Sequence, residues 1–162
     1  MKTFFIFLTF LILFTGCSNK NAFFGFEMDK TQELCASSLQ SSKIMSKEGE
    51  VSGVFSAVYL NEVYPKAFYG EEYFFVFFYT KENRELYDSK NPTDADLMIK
   101  LNSELPVKIE KLPQENQFSH LADIKNDWNH YYLIAFKKSG TLNLVLENGN
   151  SSSAVLKYKK EE

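Results

Sequence analysis

The chain has 162 residues, with 18 basic and 21 acidic side chains and a formal net charge of −3 at pH 7. This length fits one domain that buries a hydrophobic core without disulfide staples. The mildly acidic balance and the lack of a basic cluster argue against binding to nucleic acid, which requires a positive surface.

The N-terminal residues have the layout of a secretory signal peptide, because Lys2 is followed by an uncharged, apolar run from Thr3 to Thr15. As a helix this run would be about 20 Å long, which is too short for a bilayer core of about 30 Å. We therefore expect it to be cleaved rather than kept as a membrane span.

The residues Phe14-Thr15-Gly16-Cys17 resemble a bacterial lipobox, in which the cysteine is lipidated and becomes the first mature residue. The resemblance implies a type II signal peptide over residues 1–16, a lipid anchor on Cys17 and a lipidated tether over residues 17–22. Membrane attachment would then come from the lipid. Ser18 after the cysteine resembles outer-membrane sorting in enteric bacteria. The alternative is a secreted protein with a free Cys17.

If Cys17 carries lipid, Cys35 is the only thiol left, and no intramolecular disulfide forms. Cys35 lies in MDKTQELCASSLQSSKIM, which predicts one short amphipathic helix. Asp29 or Thr31 would cap its start, and apolar residues recur near helical spacing as far as Met45. We expect Cys35 to be a small buried residue rather than a nucleophile.

After Met45 the hydrophobic period changes from helical to two, which predicts β-strands, and the first two strands are apolar on both faces, as in strands covered on both sides. Seven segments show it: EVSGVFSAVYL (50–60), EEYFFVFFYT (71–80), LMIKL (97–101), LPVKIEKL (105–112), WNHYYLIAF (128–136), TLNLVLE (141–147) and SAVLKY (153–158). Seven short strands without alternating long helices predict an antiparallel two-sheet sandwich, immunoglobulin-like in the broad sense, with a small barrel as the alternative. Trp128 is a candidate to fill the space between the sheets.

The turn signals predict how the last strands connect. Ser-Gly at 139–140 and Asn-Gly at 148–149 favour an antiparallel meander of the last three strands, because Asn-Gly suits a tight hairpin. The polar segments 81–95 and 112–127 are expected to be surface loops, which often carry the specificity of a β domain. We expect the whole domain, with its N-terminal helix, to span residues 23–162.

The mature chain contains CSNKN (17–21), MDKTQELCASSLQ (28–40) and AVYLNEVYP (57–65) in series. With these segments it resembles a group of small lipoproteins from Campylobacter-like bacteria. The resemblance covers most of the chain and implies a β-sandwich variant of the immunoglobulin fold. It implies no active-site residue, because none of its motifs is catalytic.

The sequence shows no recognisable catalytic or phosphate-binding motif. His130 is expected to be a hydrogen-bonded structural residue of its strand rather than a zinc ligand. Asp94 and Asp96 resemble the start of a calcium loop, but the remaining ligands do not follow, so a solvated acidic turn is expected. We therefore predict no enzyme activity, no cofactor and no metal.

The densest aromatic segment is YFFVFFY, Tyr73 to Tyr79. Period two places Phe74, Val76 and Phe78 on one face, which we expect to point into the core. The opposite face is a candidate interaction surface, and its members are Tyr73, Phe75, Phe77 and Tyr79. Because bare aromatic patches are unfavourable, we expect the chain's own segment 23–45 to cover the two phenylalanines of that face.

These features favour a binding or structural role. The leading hypothesis is a lipid-anchored protein of the bacterial envelope, expected in the outer membrane, whose β domain contacts a protein or a glycan, for example in adhesion. The alternative is a periplasm-facing accessory subunit that stabilises an envelope or secretion complex.

Overall fold

The computed structural model describes residues 30–87, 97–121 and 127–160. The predicted signal peptide, the Cys17 anchor and the tether lie outside the described residues, as does the Asp94–Asp96 pair. Over the described ranges the chain is mainly β, as the sequence predicts, with antiparallel strand pairing in a curled sheet. None of the helices in these ranges is long and apolar enough to cross a membrane.

Two helices and nine strands make up the described chain. The helices are α1 (Lys30–Ser38) and α2 (Leu60–Val63). The strands are β1 (Leu39–Ser46), β2 (Val51–Tyr59), β3 (Glu72–Thr80), β4 (Met98–Leu101), β5 (Lys108–Leu112), β6 (His130–Phe136), β7 (Leu142–Glu147), β8 (Ser151–Ser153) and β9 (Leu156–Tyr158). The second helix and two of the strands were not predicted from the sequence.

The nine strands form one continuous sheet in the order β4-β7-β8-β1-β2-β3-β6-β5, with β9 also paired to β7. Strands β4 and β5 are therefore the two edges. The sheet curls around one main core, to which β2, β3 and β6 contribute from one half and β4, β7 and β9 from the other. Four phenylalanines are among the largest fully buried side chains of this core: Phe55, Phe74, Phe78 and Phe136. Burying each phenylalanine stabilises the fold by about 1.5–3 kcal/mol.

The other side of β2, β3 and β6 carries a second set of buried side chains, which we call the outer cluster. Phe75 and Phe77 of β3 lie at its centre. Of the segment 23–45 that was expected to cover these phenylalanines, residues 23–29 lie outside the described residues. The part in α1 does cover them, because Cys35 is buried in the cluster and Leu34 packs against it. Much of the cover was not predicted, because α2 and the segment 113–121 also contribute. The buried members from those two parts are Leu60, Val63, Phe118 and Leu121.

Cys35 has the buried position that the sequence predicts, with 2% of its surface exposed. Its Sγ–H donates a hydrogen bond to the carbonyl oxygen of Leu121 at 3.0 Å. Burial raises the pKa of the Cys35 thiol to about 11. The thiol therefore stays protonated at neutral pH, and it contributes packing rather than nucleophilic chemistry.

The helix prediction is wrong at its C-terminal end. The residues after Ser38 were expected to continue a helical face as far as Met45, but they form β1, which pairs with β2 and β8. Ile44 is 1% exposed in the main core, and the Ser41 and Ser56 hydroxyls are 2.8 Å apart across the β1–β2 pair. Neighbouring strands on both sides satisfy the backbone groups of β1, so tertiary context outweighs the local spacing.

The predicted meander of the last three strands is confirmed for its second half, where β7 pairs antiparallel with β9, and wrong for its first half, because β6 does not pair with β7. Strand β6 pairs with β3 and β5, whereas β7 pairs with β4, β8 and β9, so the Ser-Gly turn crosses from one half of the sheet to the other. The Asn-Gly hairpin is confirmed between β7 and β8, where Asn148 Oδ1 accepts hydrogen bonds from the backbone N–H groups of Asn150 and Ser151.

Trp128 does not fill the core, because it lies before β6 and is 73% exposed.

Phe118→Ala is expected to destabilise the outer cluster. Phe118 is 4% exposed, and its ring centroid lies 5.3 Å from that of Phe75 and 6.0 Å from that of Phe68. Removing a buried phenyl ring leaves a cavity, so the free energy of unfolding should fall by about 3–5 kcal/mol in urea denaturation. Val155→Ala, at a side chain 48% exposed, is the control and should change it by less than about 0.5 kcal/mol. Equal effects of the two substitutions would contradict the covering role of segment 113–121.

Candidate functional site

A cavity of about 610 Å³ lies where the two edges of the curled sheet face each other, and we call it the edge groove. Its lining comes from both edge strands and from the segments that lead into them. The lining residues are 85–87, 97–99, 105–109, Lys111 and Tyr132. The groove therefore exists because the sheet curls without pairing β4 to β5.

The edge groove is apolar at its floor and around its mouth. Its floor is formed by four buried side chains: Leu86, Leu97, Ile99 and Tyr132. Around it stand four exposed apolar side chains: Tyr87, Leu105, Val107 and Ile109, between 37% and 56% exposed. Clustered exposure of this kind is typical of a surface that binds a partner.

The backbone groups of the β4 edge are mostly occupied or enclosed. Leu97 N–H donates to the Glu85 carbonyl at 2.9 Å, and Leu101 N–H donates to the Glu104 carbonyl at 3.0 Å, both on the side away from β7. Alternate residues of a strand direct their backbone groups to the same side, so those of Ile99 lie there too, but Ile99 is only 1% exposed. At the opposite edge, β5 pairs with β6 alone among the described strands. The β5 edge is more open, because its residues are exposed from Lys108 to Lys111.

Charged side chains form a balanced rim at the groove. Lys111 Nζ lies 2.6 Å from Glu85 Oε1, and Lys108 Nζ lies 2.9 Å from Glu110 Oε2. Both pairs are exposed and screened by water, so they add little to the stability of the fold. An apolar floor, backbone groups at a sheet edge and a polar rim together suit an extended peptide that adds a strand to the sheet.

The aromatic face predicted on β3 is mostly covered. Phe75 is fully buried and Phe77 is 2% exposed within the outer cluster, while Tyr73 is half-buried and donates a hydrogen bond from its hydroxyl to Glu71 Oε2 at 2.9 Å. Tyr79 is exposed, with its ring centroid 6.3 Å from that of Trp128. The four residues therefore do not form one open patch in the described chain.

A second concavity, of about 440 Å³, surrounds a charged side chain that the sequence analysis did not single out, and we call it the Glu72 cleft. Glu72 is 2% exposed, and its Oε2 accepts a hydrogen bond from the Tyr59 hydroxyl at 2.6 Å. Its Oε1 accepts from the Ser139 backbone N–H at 3.0 Å and from Lys160 Nζ at 2.5 Å. The partners come from β2, the β6–β7 turn and the C-terminal residues, and no local pattern signals that convergence.

The network decides the ionisation of Glu72. Burial by itself raises the pKa of the carboxyl group, but the hydrogen bonds from Lys160, Tyr59 and Ser139 outweigh it, and the pKa lies below its usual value. Burial, reinforced by the hydrogen bond to Glu72, raises the pKa of the Tyr59 hydroxyl well above its usual value. At neutral pH the cleft therefore contains a buried carboxylate held by a neutral phenol and a lysine.

The histidines take part in ordinary hydrogen bonds. His130 Nε2 lies 2.8 Å from Asn83 Oδ1, as expected for a hydrogen-bonded structural histidine, and burial lowers the pKa of its imidazole. His120 Nε2 lies 2.8 Å from the Tyr64 hydroxyl. Within residues 30–87, 97–121 and 127–160, no group of three or more His, Cys, Asp or Glu side chains is placed to hold a metal ion.

Comparisons with protein-family models, with curated proteins and with solved structures found no match. The function must therefore be inferred from the surfaces of this chain. Of the two concavities, the edge groove is the stronger candidate for docking a partner, because it joins exposed apolar side chains to backbone groups at a sheet edge.

Acid is expected to weaken the fold through Glu72. Its pKa in the folded chain is lower than its unfolded value near 4.5, so the carboxylate contributes stability that is present above about pH 4.5 and is lost as the pH falls through the folded value. Glu72→Gln should lower stability at neutral pH and flatten its decline below about pH 5, as measured by urea denaturation at a series of pH values. Glu115→Gln, at an exposed glutamate, is the matched control. Parallel pH curves for the wild type and Glu72→Gln would contradict this role.

Proposed function

We propose that this chain is a lipid-anchored protein of the bacterial envelope whose β domain binds an extended segment of a partner protein in the edge groove. The observation that carries the proposal is the groove, with its buried apolar floor and the exposed apolar side chains around its mouth, between two sheet edges. The main chain of the partner would hydrogen-bond along the exposed β5 edge, and alternate side chains would enter the groove. No enzymatic step belongs to this proposal.

The anchor is supported by the sequence. The resemblance of Phe14-Thr15-Gly16-Cys17 to a lipobox implies acylation of Cys17, and two or more acyl chains hold a protein durably on a membrane. Ser18 after the cysteine supports the outer membrane as the location. The tether would keep the β domain close to that membrane and its partners.

The finer fold assignment is part of the same proposal. We propose that the curled sheet is a variant of the immunoglobulin-like sandwich. This is supported by the main core, in which inner residues of β2, β3 and β6 pack together with those of β4, β7 and β9. Such domains commonly present their edges and loops to other molecules.

The two candidate roles place the domain on opposite sides of the outer membrane. An adhesin lies on the cell surface, and an accessory subunit faces the periplasm. Protease added to intact cells would cleave an adhesin on the surface. A protein that is cleaved only after the outer membrane is opened is instead an accessory subunit facing the periplasm, and its groove would then bind a component of an envelope complex.

Cys17→Ser is expected to abolish acylation and leave the precursor unprocessed. Only the Cys17 sulfur can form the thioether on which cleavage by signal peptidase II depends. Metabolic labelling with palmitate, followed by electrophoresis of membrane and soluble fractions, measures both effects. Cys35→Ser is the matched control and should label like the wild type. Palmitate labelling that persists in Cys17→Ser would refute the anchor.

Val107→Asp is expected to weaken peptide binding in the edge groove without unfolding the domain, since a carboxylate among the apolar side chains around the mouth opposes burial by a ligand. Residues 17–162 carrying Cys17→Ser, produced without the signal peptide, would be screened against random 12-residue peptides displayed on phage. We expect the selected peptides to alternate apolar and polar residues. Their dissociation constants should rise at least about tenfold in Val107→Asp, as measured by fluorescence anisotropy.

The matched control is Val54→Asp, because Val54 is 45% exposed and Val107 is 47% exposed but only Val107 lines the groove. Val54→Asp should bind the selected peptides like the parent chain. Equal losses in the two variants, or selected peptides without alternation, would contradict the groove as the docking site.

A further inference from the structure

The Glu72 cleft has an exposed aromatic ring on a loop that neighbouring residues hold in place. Tyr69 lines the cleft and is 76% exposed, the highest value among the large hydrophobic side chains of the described residues. A ring this exposed contributes little to folding, because it removes little apolar surface from water. Its position over a concavity is instead what a stacking ligand requires.

The loop that carries Tyr69 is fixed on both sides. Asn61 Nδ2 donates to the Glu71 carbonyl at 2.7 Å, and Asn61 Oδ1 accepts from the Tyr73 backbone N–H at 2.7 Å. The neighbouring Phe68 ring packs against the Tyr73 ring, with their centroids 5.0 Å apart. Tyr69 is therefore presented by a pre-organised loop, which lowers the entropy that binding would cost.

The charges in the cleft are balanced. Glu62 and Glu71 supply acidic groups, while Lys138 and Lys159 supply basic groups. The remaining two charges, on the buried Glu72 and the partly exposed Lys160, neutralise each other across a contact of 2.5 Å. The lysines would attract an anion and the glutamates would repel it. The glutamates would attract a cation and the lysines would repel it, so the cleft favours neither charge strongly.

A neutral, hydroxyl-rich ligand fits this set of groups better. Each hydroxyl both donates and accepts hydrogen bonds, so one ligand can donate to carboxylates and accept from ammonium groups. A sugar ring also has an apolar C–H face that packs on an aromatic ring. We propose that the Glu72 cleft binds an uncharged glycan, with one sugar ring stacked on Tyr69 and its hydroxyls bonded to Glu62, Lys138 and Lys159.

The ion pair of Glu72 and Lys160 has a positioning role in this site. Lys160 Nζ donates to Glu72 Oε1 and also to the carbonyl oxygen of Ser139, which joins the C-terminal residues to the β6–β7 turn. These bonds fix the backbone next to Lys138 and Lys159, the two lysines that bind the glycan. The glycan site goes beyond the edge groove, because the two cavities share no lining residue.

The test uses residues 17–162 carrying Cys17→Ser, applied to an array of neutral and acidic glycans, with titration calorimetry on the neutral glycans that bind. Tyr69→Ala should weaken binding by at least about tenfold, because it removes the stacking surface. Tyr69→Phe keeps the ring and should stay within about threefold of the parent chain. Circular dichroism of each variant establishes that it is folded.

Two control variants locate the site. Trp128→Ala removes an aromatic ring that is 73% exposed outside the cleft, and Val107→Asp alters the edge groove, so both should leave glycan affinity unchanged. Binding to no neutral glycan would overturn the inference. So would binding to acidic glycans only, or a loss caused by Trp128→Ala and not by Tyr69→Ala. None of these outcomes affects the peptide-binding proposal, whose own variant is Val107→Asp.

Discussion

The burial of β3 on both faces is the constraint on which the rest of the structure depends. One face places Phe74, Val76 and Phe78 in the main core, and the other places Phe75 and Phe77 in the outer cluster. A single sheet covers only one of these faces by curling, so the second face needs separate cover. Helices α1 and α2 and the segment 113–121 supply it, which explains why these short elements are attached to a mainly β domain.

The same curl creates the candidate site. A sheet that closes into a barrel has no edges, whereas this sheet ends at β4 and β5 and leaves the edge groove between them. The segment Glu85–Tyr87 occupies one end of the β4 edge through its contact with Leu97, and the salt bridge from Glu85 to Lys111 links it to β5. The edges are thus partly protected, and the apolar stretch that stays accessible is confined to a defined groove.

The sequence predicted those features that depend on local pattern. Period two identified β3 and assigned Phe74, Val76 and Phe78 to the core, and Asn-Gly identified the β7–β8 hairpin. Features that depend on distant partners were missed. Strand β1 was assigned to a helix because its pairing with β2 and β8 is not encoded in its own spacing. Trp128 was assigned to the core because its place in the alternating pattern does not show where β6 begins.

The candidate sites were even less accessible to sequence reasoning, for the same physical reason. Leu105, Val107 and Ile109 read as one face of an ordinary strand, and only the curl of the sheet shows that this face meets β4 instead of a covering layer. Glu72 reads as the polar start of a strand, but it is buried because Lys160, 88 residues away in the sequence, neutralises it. A buried charge requires such a partner. Binding surfaces in this domain therefore arise where separate parts of the sheet and its connections meet, and each must be tested at the residues that only the fold brings together.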